Sequence, residues 1–91
     1  MLLSVSNNHV RILKFVLAQG ADVNERDNLN NDTPLMLACL FGYCEASEIL
    51  IKAGANTNAK DKYGNNALNK SYRSGNEKLI SFIDAMSENQ D

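Results

Sequence analysis

The phrase GADVN at residues 20–24 returns as GANTN at residues 54–58, 34 positions later. Nothing else in the 91 residues restricts the fold so strongly, because the surroundings of the two phrases return with them. Asp27 recurs as Asp61 at the same shift of 34, TPL at residues 33–35 recurs as NAL at 66–68 with a shift of 33, and Gly42 recurs as Gly75. The shift changes once, between Asp27 and Thr33, so DNLNND carries one residue more than DKYGN. Landmarks in register with one local insertion mark a repeat array with a unit of about 33 residues. The chain is also too short for more than one domain, and a domain of this size buries a modest share of its surface.

Each unit has local preferences. In the central one the Thr33 hydroxyl can cap a helix, Pro34 sits where a missing N–H costs nothing, and LMLACLF runs on to Gly42. These features predict a helix of about nine residues. The next segment, YCEASEILIKAG, places Ala46, Ile49, Leu50 and Ala53 at helical spacing, with Glu45 in the first turn and Gly54 just past the end. A second helix, antiparallel to the first, is expected there. Residues 55–65 are rich in Asn, Asp and Lys and suit an extended loop or hairpin finger.

The stretch TPLMLACLFGYCEASEILIKAGANTNAKD resembles the ankyrin repeat family: Thr-Pro-Leu, small residues, Gly, an aliphatic helix, then Gly-Ala-Asp/Asn-x-Asn. The resemblance covers nearly the whole chain. It implies an all-α solenoid of stacked helix-turn-helix units with hairpin-like loops, forming a single domain over residues 1–91. Within it lie a truncated first repeat (1–26), a full repeat (27–60), a C-terminal capping repeat (61–85) and a frayed tail (86–91).

The opening phrases read as scaffold. Gly20 and Gly54 end the second helix of a unit, where a left-handed turn is needed, and Asp22, Asn24, Asn56 and Asn58 can bond to turn backbone that no ladder satisfies. The third unit departs from the pattern. Asn66 can still cap, but Lys70 stands where the second unit has Leu37, and Asp84 where it has Ile51. Leu79, Phe82, Ile83 and Met86 remain on one stripe, while polar residues turn outward, as the last unit of a stack requires. At the other end MLLSV has lost the Thr-Pro start, and no polar cap covers it.

Charge and motif content narrow the function. A formal charge of −2 lacks the basic field that drives phosphate binding, so nucleic acid is not expected as a partner. The apolar start has no basic flank, and the longest apolar run, residues 35–41, is far too short to cross a bilayer. Cys39 and Cys44 form neither a disulfide framework nor a zinc set, which points to a reduced intracellular setting, cytoplasmic or nuclear.

DNLNND looks faintly like a calcium loop, but Leu29 falls on a ligand position and Ala38 where a bidentate Glu belongs. His9 has no acid or cysteine partner fixed nearby, and Cys44, near a helix N-terminus, has no adjoining base. Phosphate loops and nucleophile motifs are absent from the sequence, so no enzyme activity and no cofactor are expected.

Function must then come from surface. The resemblance implies a non-catalytic protein-binding module that uses the concave side formed by finger loops and first helices. Carried onto this chain, the contact positions are Asn28, Leu29, Asn31 and Asp32 in the long finger, and Met36, Leu40 and Phe41 on its helix. In the next unit they are Lys62, Tyr63 and Asn65 in the finger, with Asn69, Arg73 and Ser74 on the helix. Leu29 carries most weight, because an apolar side chain at the tip of a polar loop has no core to enter. The alternative is an assembly role, in which the bare apolar start, residues 1–5, stacks on a second copy to give a homodimer. A third reading, a redox sensor working through Cys44, is weaker.

Overall fold

The computed structural model of the chain describes residues 10–88. Within them lie five helices and no strand: α1 (Val10–Ala18), α2 (Pro34–Leu40), α3 (Cys44–Lys52), α4 (Ala67–Ser74) and α5 (Glu77–Glu88). Helices α2 and α3 form one antiparallel pair and α4 and α5 the next, with α2 packed on α4 and α1 on α3. Helices of like kind therefore stack along the array, and α1 takes the place of the second helix of a first unit. The segment MLLSV and His9 lie outside the described residues.

Helix starts follow the side chains expected to cap them. Thr33 Oγ1 accepts the Met36 N–H at 3.3 Å, and Pro34 sits in the first turn of α2. Asn66 Oδ1 accepts the Asn69 N–H at 2.9 Å while Asn69 Oδ1 accepts the Asn66 N–H at 3.0 Å, a reciprocal box in which two Asn side chains satisfy two orphan donors. Helix α2 is seven residues long rather than nine, because Phe41 already serves as its C-cap and Gly42 turns left-handed at φ 76°. At its other end the chain keeps its helix longer than expected. Helix α5 continues through Met86, half-buried on the Leu79, Phe82, Ile83 stripe, as far as Glu88, so the frayed tail does not begin at 86.

The core is a seam of Leu13, Leu35, Ala38, Cys39, Ala46, Leu50, Ala55, Ala67, Leu79 and Ile83 running through all three units. Each fully buried Leu or Ile contributes about 1.5–3 kcal/mol relative to exposure, and none of the units could collect this alone. On α3 the expected stripe holds at Ala46 and Leu50, with Ile49 half-buried. Ala53 is exposed, because it is already the C-cap; Ser47 is buried instead, its hydroxyl donating to the Tyr43 carbonyl at 2.9 Å.

The repeated phrase does more than turn the chain. Gly20 and Gly54 are left-handed at φ 93° and 100°. Asp22 Oδ1 accepts the Asn24 N–H, and Asn56 Oδ1 accepts the Asn58 N–H, both at 2.9 Å. Asn24 Oδ1 then accepts the Asn56 N–H at 2.8 Å, which ties the first phrase to the second across the repeat boundary. Asn76 makes a similar tie, its amide donating to the Gly42 carbonyl at 3.1 Å.

Candidate functional site: the finger loops

Each finger is folded around a carboxylate of its own. Asp27 Oδ1 accepts the N–H groups of Leu29, Asn30 and Asp32 at 3.2, 2.9 and 3.2 Å, and the Asp27 N–H donates to the Asp32 carbonyl at 2.9 Å. Asp61 repeats the scheme, with Oδ1 accepting the N–H groups of Tyr63 and Asn65 at 2.9 Å each. The extra residue of the first finger is absorbed before Asn31, which stands at φ 62° where the second finger has Gly64 at φ 84°. Asn is among the few side chains that tolerate this left-handed region.

The two fingers are joined. The Lys62 N–H donates to the Asn30 carbonyl at 3.0 Å, and Arg26 reaches both fingers, Nη1 donating to the Asn31 carbonyl at 2.9 Å and to the Lys60 carbonyl at 2.7 Å. The loops are thus pre-ordered without a strand ladder. Two large side chains are left projecting from them: Leu29 is 78% exposed and Tyr63 69%. The Lys62 ammonium lies 5.2 Å from the Tyr63 ring centroid, within reach of a cation–π contact.

Beneath the fingers lies an ion triad. Lys70 Nζ is 2.8 Å from Asp61 Oδ2 and 3.4 Å from Asp32 Oδ1, with all three side chains nearly sealed from water. Neither of those two oxygens accepts another hydrogen bond among the described residues, so the ammonium is their only close polar partner. Burial would raise the Asp61 carboxyl, but Lys70 and the N–H groups of Asn65 and Tyr63 outweigh it and hold it down to about 2. For Lys70 burial works against the charge, yet the two carboxylates win and push the ammonium above its ordinary value. Asp27 is held below the usual carboxylate range: burial opposes this, and four backbone N–H groups of its own loop prevail.

Of the contact positions expected from the sequence, Asn28, Leu29, Asn31, Phe41, Lys62, Tyr63, Asn69 and Arg73 are exposed, and Leu40, Asn65 and Ser74 are half-buried. Two are not on the surface. Asp32 is 3% exposed because it turns inward to Lys70, and Met36 is 1% exposed because it is packed into the interior. Lys70 is the residue that sequence reasoning misses. Its place in a capping unit suggests an outward polar position, but it is buried, and the signal for it is the pair of aspartates one finger apart. Tyr72, 57% exposed on α4, is a surface residue outside the expected set.

The thiols are differently placed. Burial pushes the Cys39 thiol up to about 12 despite its 3.8 Å contact with the Ser47 hydroxyl and with Cys44 adding in the same direction. Cys44 is half-buried and accepts the Asn76 amide at 3.4 Å. The calcium-loop reading of residues 27–32 meets a carboxylate already committed to its own backbone.

A family model of ankyrin repeats, in three copies, matches residues 1–89. The chain belongs to the ankyrin repeat family. The helical solenoid architecture is that of the family. Among known ankyrin-containing relatives, the chain is 36% identical over 86 residues to the nuclear factor NF-kappa-B p105 subunit of Gallus gallus, covering 89% of this chain and 9% of that protein. It is 35% identical over 78 residues to the potassium channel SKOR of Arabidopsis thaliana, covering 86% and 9%. It is 30% identical over 77 residues to the palmitoyltransferase AKR1 of Lachancea kluyveri, covering 85% and 10%. The chain thus spans a tenth or less of these curated relatives, whose named activities differ from one another while the ankyrin repeats recur. Ankyrin repeats generally mediate protein–protein interaction. No described helix is long and apolar enough to cross a membrane.

Proposed function

We propose that this ankyrin domain is a non-catalytic interaction module that binds a protein partner through its finger tips and the exposed side of its first helices. The observation that carries the reading is the exposure of Leu29 and Tyr63 on loops otherwise tied down at every turn. An interface built on pre-ordered loops loses little conformational entropy on binding, and large apolar or aromatic side chains at its centre are the usual anchors. Phe41, Asn28, Asn31, Lys62, Asn69 and Arg73 surround or extend that patch in this reading. The setting we propose is intracellular, cytoplasmic or nuclear, in keeping with two free thiols. The test is a photo-crosslinking amino acid placed at Tyr63 and, in a second sample, at Lys78 on α5. Partner adducts from position 63 and none from position 78 support the reading; the reverse pattern moves the interface to the second helices.

A second reading is favoured by a separate observation. On α1, Ile12 and Phe15 are 52% and 64% exposed, an apolar face at the start of the stack. Self-association through that end would cover it. Light scattering over a concentration series tests this: a mass that doubles with concentration and reverts with Ile12→Ser and Phe15→Ser supports it, and a constant 10.0 kDa monomer dismisses it.

A further inference from the structure

The exposed charges of the finger side lean basic. Within the finger tips, residues 27–32 and 61–65, every carboxylate is directed into the protein: Asp27 onto its own loop, Asp32 and Asp61 onto Lys70. The charged side chains left exposed there and on α4 are Lys62 and Arg73, both basic; in the adjoining loop segments Arg26 and Lys60 are exposed, as is the acidic Asp22. Arg26 Nη1 donates to two neutral carbonyls, and Lys62 leans over the Tyr63 ring. Arg73, in the last turn of α4, lies one turn along from Asn69 on the same exposed row of the helix. Exposed Glu45 and Glu48 outnumber Lys52 on α3, and exposed Glu77 and Asp84 outnumber Lys78 on α5, whereas α1 carries exposed Arg11 and Lys14 and no acid. A chain with a formal charge of −2 thus presents a basic excess on the side that exposes Leu29 and Tyr63.

We propose that the partner of the finger side is an acidic segment of another protein that carries a large apolar residue between its carboxylates. The carboxylates face Lys62 and Arg73, and the apolar residue packs on Leu29 and Tyr63. This rests on the reading of the finger side as the interaction surface and adds the chemistry of what it takes. Potentials of opposite sign steer the encounter and reject basic competitors. A nucleic acid fits less well: Leu29 offers no stacking plane for a base, and the exposed acids of α3 and α5 oppose a polyanion that would follow the stack.

The experiment pans a library of random displayed peptides against the folded 91-residue chain at low salt, with the selected peptides then measured by fluorescence anisotropy. Expected are sequences with Asp or Glu flanking Leu, Phe or Trp, an affinity loss of about tenfold on the double variant Lys62→Glu and Arg73→Glu, and a severalfold loss on raising the salt. Melting curves establish that the variant, altered only at exposed positions, is folded. Neutral or basic peptides that bind wild type but not Leu29→Ala and Tyr63→Ala overturn the charge assignment while leaving the finger reading in place. Peptides indifferent to both double variants, or no enrichment at all, overturn both. A short single-stranded oligonucleotide that displaces the peptides and depends on Lys62 and Arg73 assigns the basic excess to nucleic acid instead and overturns the proposal.

Discussion

Lys70 Nζ lies 3.4 Å from Asp32 Oδ1, a contact made across the boundary between the second and third ankyrin repeats. The same ammonium is 2.8 Å from Asp61 Oδ2 within its own repeat. One side chain thus holds the roots of both fingers, and the array is coupled by a buried charge where the second repeat itself has a half-buried Leu37.

Removing that charge leaves two buried carboxylates facing each other. Lys70→Met should cost about 3 kcal/mol, the usual penalty for breaking a buried pair from one side. The triple variant Lys70→Met, Asp32→Asn and Asp61→Asn should recover most of the loss, because an amide side chain in place of the Asp61 carboxylate keeps an acceptor oxygen for the finger N–H groups. Urea unfolding of both variants measures the difference. Equal destabilisation would mean that the triad matters for its packing rather than its charge.

The triad also sets a pH window. Asp61 has its carboxyl lowered from 3.8 to about 2, so its stabilising contribution is complete above about pH 4 and is lost as pH falls through about 2. The part lost is about 2 kcal/mol. Lys70 is shifted upward, so its contribution is complete below its ordinary value near 10.5 and is lost only as pH rises through the higher folded value. Unfolding free energies measured from pH 2 to 7 should fall on the acid side for the wild type. The acid-side fall should be shallower for Asp61→Asn.

The left-handed finger position can be tested in isolation. A Cβ at Gly64 meets nothing within 4 Å, so any cost of substitution is the backbone's alone. Gly64→Ala should destabilise by about 1 kcal/mol. Gly64→Asn should cost clearly less, because Asn31 already occupies the equivalent place at φ 62°. Thermal melts of the two variants decide; an Asn variant as unstable as the Ala variant would remove the equivalence.

Two leucines separate scaffold from surface. Leu50 is fully buried, and Leu50→Ala should cost roughly 2–5 kcal/mol through lost burial and the cavity left behind. Leu29 is 78% exposed, and Leu29→Ala should be nearly neutral. Denaturant midpoints give both values.

The repeat, the helix caps at Thr33 and Asn66 and the stripe of α5 are legible in the sequence because each rests on local chemistry: a hydroxyl or amide at an N-cap, a helical spacing, a glycine at a left-handed turn. The exposure of Leu29 and Tyr63 is legible for a related reason, since a large side chain between polar loop residues has nowhere to go. What escapes is set by distance in sequence. Asp32 reads as a loop-tip polar residue and Lys70 as a solvated lysine, and only the stacking of α4 on α2 brings them together. Met36, close to helical positions that do face out, reads as a surface residue because spacing alone does not fix the rotation of a seven-residue helix.

The claim that the finger tips are held ready for a partner is tested most directly by that partner's affinity. A protein recovered by crosslinking from position 63 would be titrated calorimetrically against the wild-type domain and against the double variant Leu29→Ala and Tyr63→Ala. Expected is an affinity loss of about tenfold or more with an unchanged melting temperature. Unchanged affinity would contradict the claim and place the interface elsewhere on the domain.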